Sequence, residues 1–315
     1  MSQAIRIDKE VLILGDTPEA RVVSQELLRL GYTVHQAALS EGASDGHAPH
    51  TRLHYYMASR LLKLDGHVGD FRAALDCEGA QEIIPASALV VAIGNERFFP
   101  AEQYGLPSSA RILTVSRVRQ QLATPRSAGA ALPHRHERLF IALDLGGETS
   151  KETAVEALHL AHDLRAQWHS EVHVFYQNLK VDTPWLERLT RELREKGVVF
   201  CRYETPKVSV DDEGVSIAYV EGRLQGDWLI MPDTARPHAA TAELAALLRV
   251  RVGQDGYFQD VNVRQYRPGL SVRRGIFFAG RCHMDCDAHE AEADALQAVA
   301  NVDALLGSGV LALSQ

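Results

Sequence analysis

The chain has 315 residues, of which 46% are hydrophobic and 23% charged, and its formal net charge is -8 at pH 7. This is a globular composition long enough for two domains, and an acidic excess without a basic block excludes nucleic acid as a main partner. No apolar run approaches the roughly 18 residues of a membrane span, the first ten residues lack a signal-peptide core, and four scattered cysteines cannot form a disulfide framework, so a cytoplasmic location is expected.

In chain order, Val11-Leu12-Ile13-Leu14 is an unbroken apolar run, the pattern of a strand buried on both faces. Residues 20–30 space Val22, Val23, Leu27 and Leu30 as one helical face, Gly31 ends the helix, and a second strand starts at Tyr32. A polar loop over 40–49 precedes three short runs, Leu61 to Leu64, Asp70 to Cys77 and Gln81 to Ile84, which read as an antiparallel meander. Ala88 to Gly94 is another buried strand, and the Ala-, Pro- and Gly-rich stretch 123–133 is expected to be a domain junction. A second α/β series follows: strands at 139–143, 172–176, 198–201 and 228–231, with helices at 151–167 and after Thr183-Pro184. A hairpin is expected from 207–210 and 215–220, then a strand over 275–280 and an alanine-rich helix over 288–306. This alternation predicts parallel sheets covered on both faces.

The turn between the first strand and helix is where such a fold would cradle a pyrophosphate on backbone N–H groups, with glycines permitting close approach. The turn reads Gly15-Asp16-Thr17-Pro18-Glu19-Ala20, so Thr17 and Ala20 stand where glycines are needed, Pro18 removes a donor, and Asp16 and Glu19 add negative charge. After the second strand, Gln36-Ala37-Ala38 offers no acid for a ribose. The second turn, Asp144 to Ser150, keeps two glycines and two hydroxyls and could accept an anion; a helix cap by Thr149 or Ser150 is favoured. Cys282-His283-Met284-Asp285-Cys286 is the densest group of potential ligands, with Cys282 a candidate redox or catalytic thiol and Cys282 and Cys286 weak metal candidates. Asp287 with Glu290 fits a capping box, and the structural role is favoured there too. Cys77 and Cys201 read as small buried residues, the tryptophans as packing groups, and most of the 14 histidines as surface residues.

The order of segments resembles the flavoprotein A subunit of heterodisulfide reductases, within the glutathione-reductase-like fold. The likeness rests on Val68-Gly69-Asp70-Phe71 and Ala92-Ile93-Gly94, on Tyr104-Gly105 with Ile112-Leu113-Thr114, and on Val174-Phe175-Tyr176 with residues 195–200. It closes with Asp255-Gly256-Tyr257-Phe258 and the run Gly275 to Gly280. The resemblance implies an α/β fold of two Rossmann-like three-layer domains of the FAD/NAD(P)-binding type, with an antiparallel meander. The FAD-type domain is expected at 1–125 plus 265–315, and the NAD(P)-type domain at 136–264. It places a flavin against Gly15, Thr17, Ala20, Gly94, Gly280, Arg281 and Asp287, with Cys282 near the ring.

This chain departs from that family at the glycines of the first turn, at Arg281, and in lacking cysteine-rich cluster motifs. The expected cofactor state is therefore none, with FAD the alternative. The leading functional expectation is a non-catalytic, A-like subunit of a soluble heterodisulfide-reductase-like complex in sulfur metabolism. Its partners would be cluster-bearing B- and C-type subunits and a flavin-bearing A-type subunit. The alternatives are an active FAD-dependent oxidoreductase with an altered flavin pose, and an anion-binding sensor centred on Arg281 and Cys282.

Overall fold

The structure is a computed structural model, described over residues 4–39, 50–99, 104–123, 133–205, 207–211, 214–261 and 268–312. The chain divides into two compact units, one made of Met1–Glu96 and Arg236–Gln315, the other of Arg97–Ala235.

The first unit is built on a five-stranded parallel sheet in the spatial order 276–278, 88–91, 10–14, 33–37, 53–56. Val11 to Leu14 and Ala88 to Val91 are fully buried because helices and a second sheet cover their two faces. The helix Pro18–Arg29 buries Ala20, Val23, Leu27 and Leu28, and it packs beside the last helix, Ala288–Leu306. Tyr32, which follows the first helix, donates from its hydroxyl to Asp303 Oδ1 at 2.8 Å and so ties the start of the second strand to that last helix. Strands Ser59–His67, Asp70–Cys77 and Ala80–Ala86 form the antiparallel meander, with Leu61, Phe71, Leu75 and Ile84 on the core side. The terminal strands Ala4–Arg6 and Val310–Ala312 pair with each other.

The second unit has its own five-stranded parallel sheet, ordered 112–114, 228–231, 138–142, 171–176, 199–202. Helices Val115–Ala123, Lys151–Trp168 and Pro184–Glu195 cover one core, which includes Leu139, Ile141, Val174 and Ile230. The opposite face carries Phe140, Phe175, Cys201 and Leu229 against a three-stranded antiparallel sheet, Lys207–Val210, Val215–Tyr219 and Gly222–Gly226.

Several expectations need correction. The unit boundaries fall at 96/97 and 235/236, not at 125/136 and 264/265. The short strand Ile112–Thr114 pairs with Leu229–Met231 and so belongs to the second unit, while the helix Thr241–Leu248 packs against the meander of the first. The loop 40–49 and all of the expected junction 123–133 but its two end residues lie outside the described residues. The expected hairpin is a three-stranded sheet, because Gly222–Gly226 adds an edge strand too glycine-rich to show alternation. Thr183 occupies the N-cap position of its helix, but its hydroxyl makes no capping bond. Cys77 is only half-buried, 3.5 Å from Ser59 Oγ. Most of the described histidines are exposed, as expected, while His35, His173 and His283 are interior, each with a side-chain hydrogen-bonding partner.

Candidate functional site

In a parallel sheet of this kind ligands sit outside the carboxyl ends of the strands where the strand order reverses. In the first unit that point lies between strands 10–14 and 88–91. Gly15 leaves the first strand with φ of 127° and packs so tightly that a Cβ there would lie 2.1 Å from Ala92 O. Only glycine allows that approach, so the sharp strand-to-helix turn survives although the other glycines are gone.

Thr17 is the N-cap of the helix, its Oγ1 accepting from Ala20 N at 3.2 Å and donating to Ala92 O at 2.9 Å. Its methyl group faces Gly94, where a Cβ would come within 3.0 Å. Thr17→Ala should therefore destabilise the chain by about 1–2 kcal/mol, through the lost cap and the orphaned Ala20 N–H, as read from urea denaturation.

Glu19 turns into the same space and is buried, and its carboxylate pairs with Arg281, itself largely buried. Gly280, with φ of 69°, gives it room, since a Cβ there would lie 2.4 Å from Glu19 Cγ. The helix N-terminus, whose free N–H groups and dipole attract negative charge, thus carries a hydroxyl supplied by the chain itself, and the carboxylate of the first turn lies against Gly280 and Arg281.

The turn at 280–283 is held from the last helix. Asp294 Oδ2 accepts from Gly280 N at 2.7 Å and lies 2.8 Å from His283 Nε2, while His283 Nδ1 lies 3.1 Å from Asp260 Oδ1. Burial opposes charge on His283, but the two carboxylates outweigh it and raise its pKa to about 9. Cys282 is buried and donates to Val91 O at 3.2 Å, and burial pushes its thiol far above the ordinary range. Such a thiol is a packing group rather than a nucleophile. Cys286 is also buried, and no group of three or more metal-binding side chains occurs among the described residues. Asp287 caps the last helix, accepting from His289 N and Glu290 N at 2.8 and 3.1 Å, while Glu290 returns a bond to Asp287 N.

The structure therefore gathers Gly15, Thr17, Ala20, Gly94, Gly280 and Arg281 around one turn, and it gives Asp287 to a helix cap. His283 stands in the ligand-rich run of the sequence, but its partners Asp260 and Asp294 carry no local signal there, because they lie 23 and 11 positions away.

The second unit repeats the arrangement at its own reversal point, between strands 138–142 and 228–231. Here a cavity of about 90 Å3 is bounded by Asp144 to Ser150, by Met231 to Thr234 and by Tyr104. Asp144, in the left-handed region at φ of 61°, accepts from Thr149 N at 2.8 Å, Gln177 N at 3.1 Å and Asn178 N at 3.2 Å. Its own N–H donates to Thr149 Oγ1 at 2.7 Å. Ser150, not Thr149, caps the helix. The ring of Tyr104 lies over Gly146, where a Cβ would meet it at 2.4 Å.

No protein-family model matches the chain, and no curated protein matches it. Solved structures do. Thioredoxin reductase from T. acidophilum aligns over 94% of this chain and 99% of its own, with 12% identity and a TM-score of 0.56. Thioredoxin reductase from Lactococcus lactis aligns over 96% of this chain and 100% of its own, with 13% identity and a TM-score of 0.57. The HOCl-induced flavoprotein disulfide reductase from Escherichia coli aligns over 96% of this chain and 72% of its own, at 12% identity and a TM-score of 0.58. The chain thus has a thioredoxin-reductase-like fold, with two Rossmann-like units. No helix among the described residues is long and apolar enough to cross a membrane.

Proposed function

We propose that this chain is a flavin-free form of that fold, acting as a non-catalytic, A-like subunit of a heterodisulfide-reductase-like electron-transfer assembly in sulfur metabolism. The observation that carries the reading is the buried pair Glu19–Arg281 at the first turn. A dinucleotide in the pose the fold implies needs the N-terminus of the first helix open to its phosphates. Here Thr17 stoppers that N-terminus and Glu19 fills the room beside Gly280. A second carboxylate, Asp16, stands in the same turn, where negative charge repels a pyrophosphate. The residues present do not fit FAD.

The second turn fits a dinucleotide no better. Its cavity of about 90 Å3 is small beside the roughly 300 Å3 at which ligand pockets begin, and Asp144 brings a carboxylate to the centre of the loop. An anion sensor centred on Arg281 and Cys282 is disfavoured because Arg281 meets Glu19 and Cys282 is buried. The family likeness in segment order, combined with two self-filled turns, supports a structural role beside subunits that carry the flavin and the clusters.

The test is to isolate the assembly from its native source through a tag on this chain and separate the subunits. Cluster-bearing and flavin-bearing subunits should co-elute with it, and the separated chain should carry no flavin. A chain that elutes alone with bound flavin contradicts the proposal.

A further inference from the structure

The second unit holds a group of reactive side chains that the turns do not use. Strands Glu171–Tyr176 and Val199–Arg202 run side by side, with Phe175 opposite Cys201 and His173 opposite Val199, so His173 and Cys201 share one face as diagonal neighbours. Cys201 Sγ lies 4.0 Å from His173 Nδ1, and His173 Nε2 lies 2.9 Å from Glu171 Oε1. Glu171 is anchored in turn by Arg138, whose Nε is 3.0 Å from the other carboxylate oxygen. Burial would raise the Glu171 pKa, but the hydrogen bonds from His173 and Arg138 outweigh it and hold the carboxyl below its ordinary range.

A carboxylate on Nε2 selects the tautomer with the proton there, which leaves the Nδ1 lone pair facing the thiol. Phe140, edge-on to the imidazole at 5.6 Å, and Phe175 at 6.4 Å fix the ring. Beside these groups opens a cavity of about 360 Å3, lined among others by His173, Cys201, Arg202, Glu204, Tyr219 and Glu221. That volume is within the range of small-molecule sites. Burial, reinforced by Glu221, pushes the Cys201 thiol up to about 11, so its reaction near neutral pH depends on a partner that takes the proton.

We propose that Cys201 is a thiol-exchange site for a low-molecular-weight disulfide admitted to this cavity, with His173 as its base and Glu171 as the residue that positions the base. Sγ attacks one sulfur of the disulfide as its proton passes to His173 Nδ1. The S–S bond of the ligand breaks and a Cys201 mixed disulfide forms. The departing sulfur leaves as thiolate and takes the proton back from the imidazolium, so one free thiol is released and the disulfide itself is the oxidant. Glu171 stabilises the imidazolium while it exists. The lining sets one cation, Arg202, against Glu204 and Glu221, which suits a ligand carrying both an ammonium and a carboxylate.

The test uses the full chain with Cys77→Ser, leaving Cys201, Cys282 and Cys286, and dithiodipyridine as the probe, with labelled positions read by peptide mass. Cys201 is expected to react well before Cys282 and Cys286, at a rate that rises much less than tenfold per unit between about pH 6 and 8. In His173→Gln the rate should fall by about tenfold near neutral pH and climb about tenfold per pH unit, as an unassisted thiol does. Glu171→Gln, at a half-exposed carboxylate that tolerates change, should give a smaller loss in the same direction. The proposal is overturned if Cys201 reacts no faster than Cys282, or if both variants keep the rate and pH profile of the parent.

Discussion

Arg281→Ala should lower folding stability by about 3–5 kcal/mol. The reason is asymmetric burial. Glu19 is 3% exposed and Arg281 14%, so removing the guanidinium leaves a carboxylate inside the protein with neither water nor a counter-charge. Glu19 packs against Gly280, where a Cβ would lie 2.4 Å from its Cγ, so the acid is held against that turn. The paired replacement Glu19→Leu with Arg281→Met removes both charges at similar volume, and it should recover most of the loss or exceed the parent in stability. Urea denaturation of the parent, the single variant and the double variant measures the effect. Equal destabilisation of the single and double variants would show that shape rather than charge decides the site.

The second large effect is a pH dependence set by His283. Its folded pKa, about 9, lies above the roughly 6.5 of an unfolded histidine, because Asp260 and Asp294 grip the imidazolium from both sides. A raised pKa means that the folded chain holds the proton more tightly. The resulting stability is complete below about pH 6.5 and is lost as the pH rises through about 9. Its size is on the order of 3 kcal/mol. His283→Gln should flatten the stability curve across that window and leave the remaining pH dependence in place. His35 acts on the acid side. Burial first, then its neighbour His54, lowers its pKa to about 4, so its contribution is present above about pH 6.5 and fades as the pH falls through about 4. The histidine-linked part of the curve should therefore peak near pH 6.5, between the two windows.

Much of this fold can be read in the residues because the central strands are buried on both faces. Val11 to Leu14, Leu139 to Ala142 and Trp228 to Met231 are continuous apolar runs that periodicity finds directly. Two of the four edge strands of the parallel sheets escape such reading. Leu53–Tyr56 mixes a histidine with two tyrosines, and Ile112–Thr114 is only three residues long. The first turn is legible because its chemistry is local: six consecutive residues carry the glycine, the cap and the acids. Its central contact is not local, since Glu19 and Arg281 stand 262 positions apart and meet only when strand 276–278 reaches the sheet edge. Cys201 shows the same limit. Read alone it is a small buried residue, and only the register of two neighbouring strands places a histidine beside it.

The central claim is that this chain fills its flavin turn with its own side chains, and the flavin content of the protein tests it most directly. Purified full-length chain is incubated with excess FAD, passed through gel filtration, and read at about 450 nm against protein concentration. A FAD-to-chain ratio close to zero and no rise in melting temperature with added FAD are expected. A ratio close to one, with the melting temperature raised by FAD, would contradict the claim.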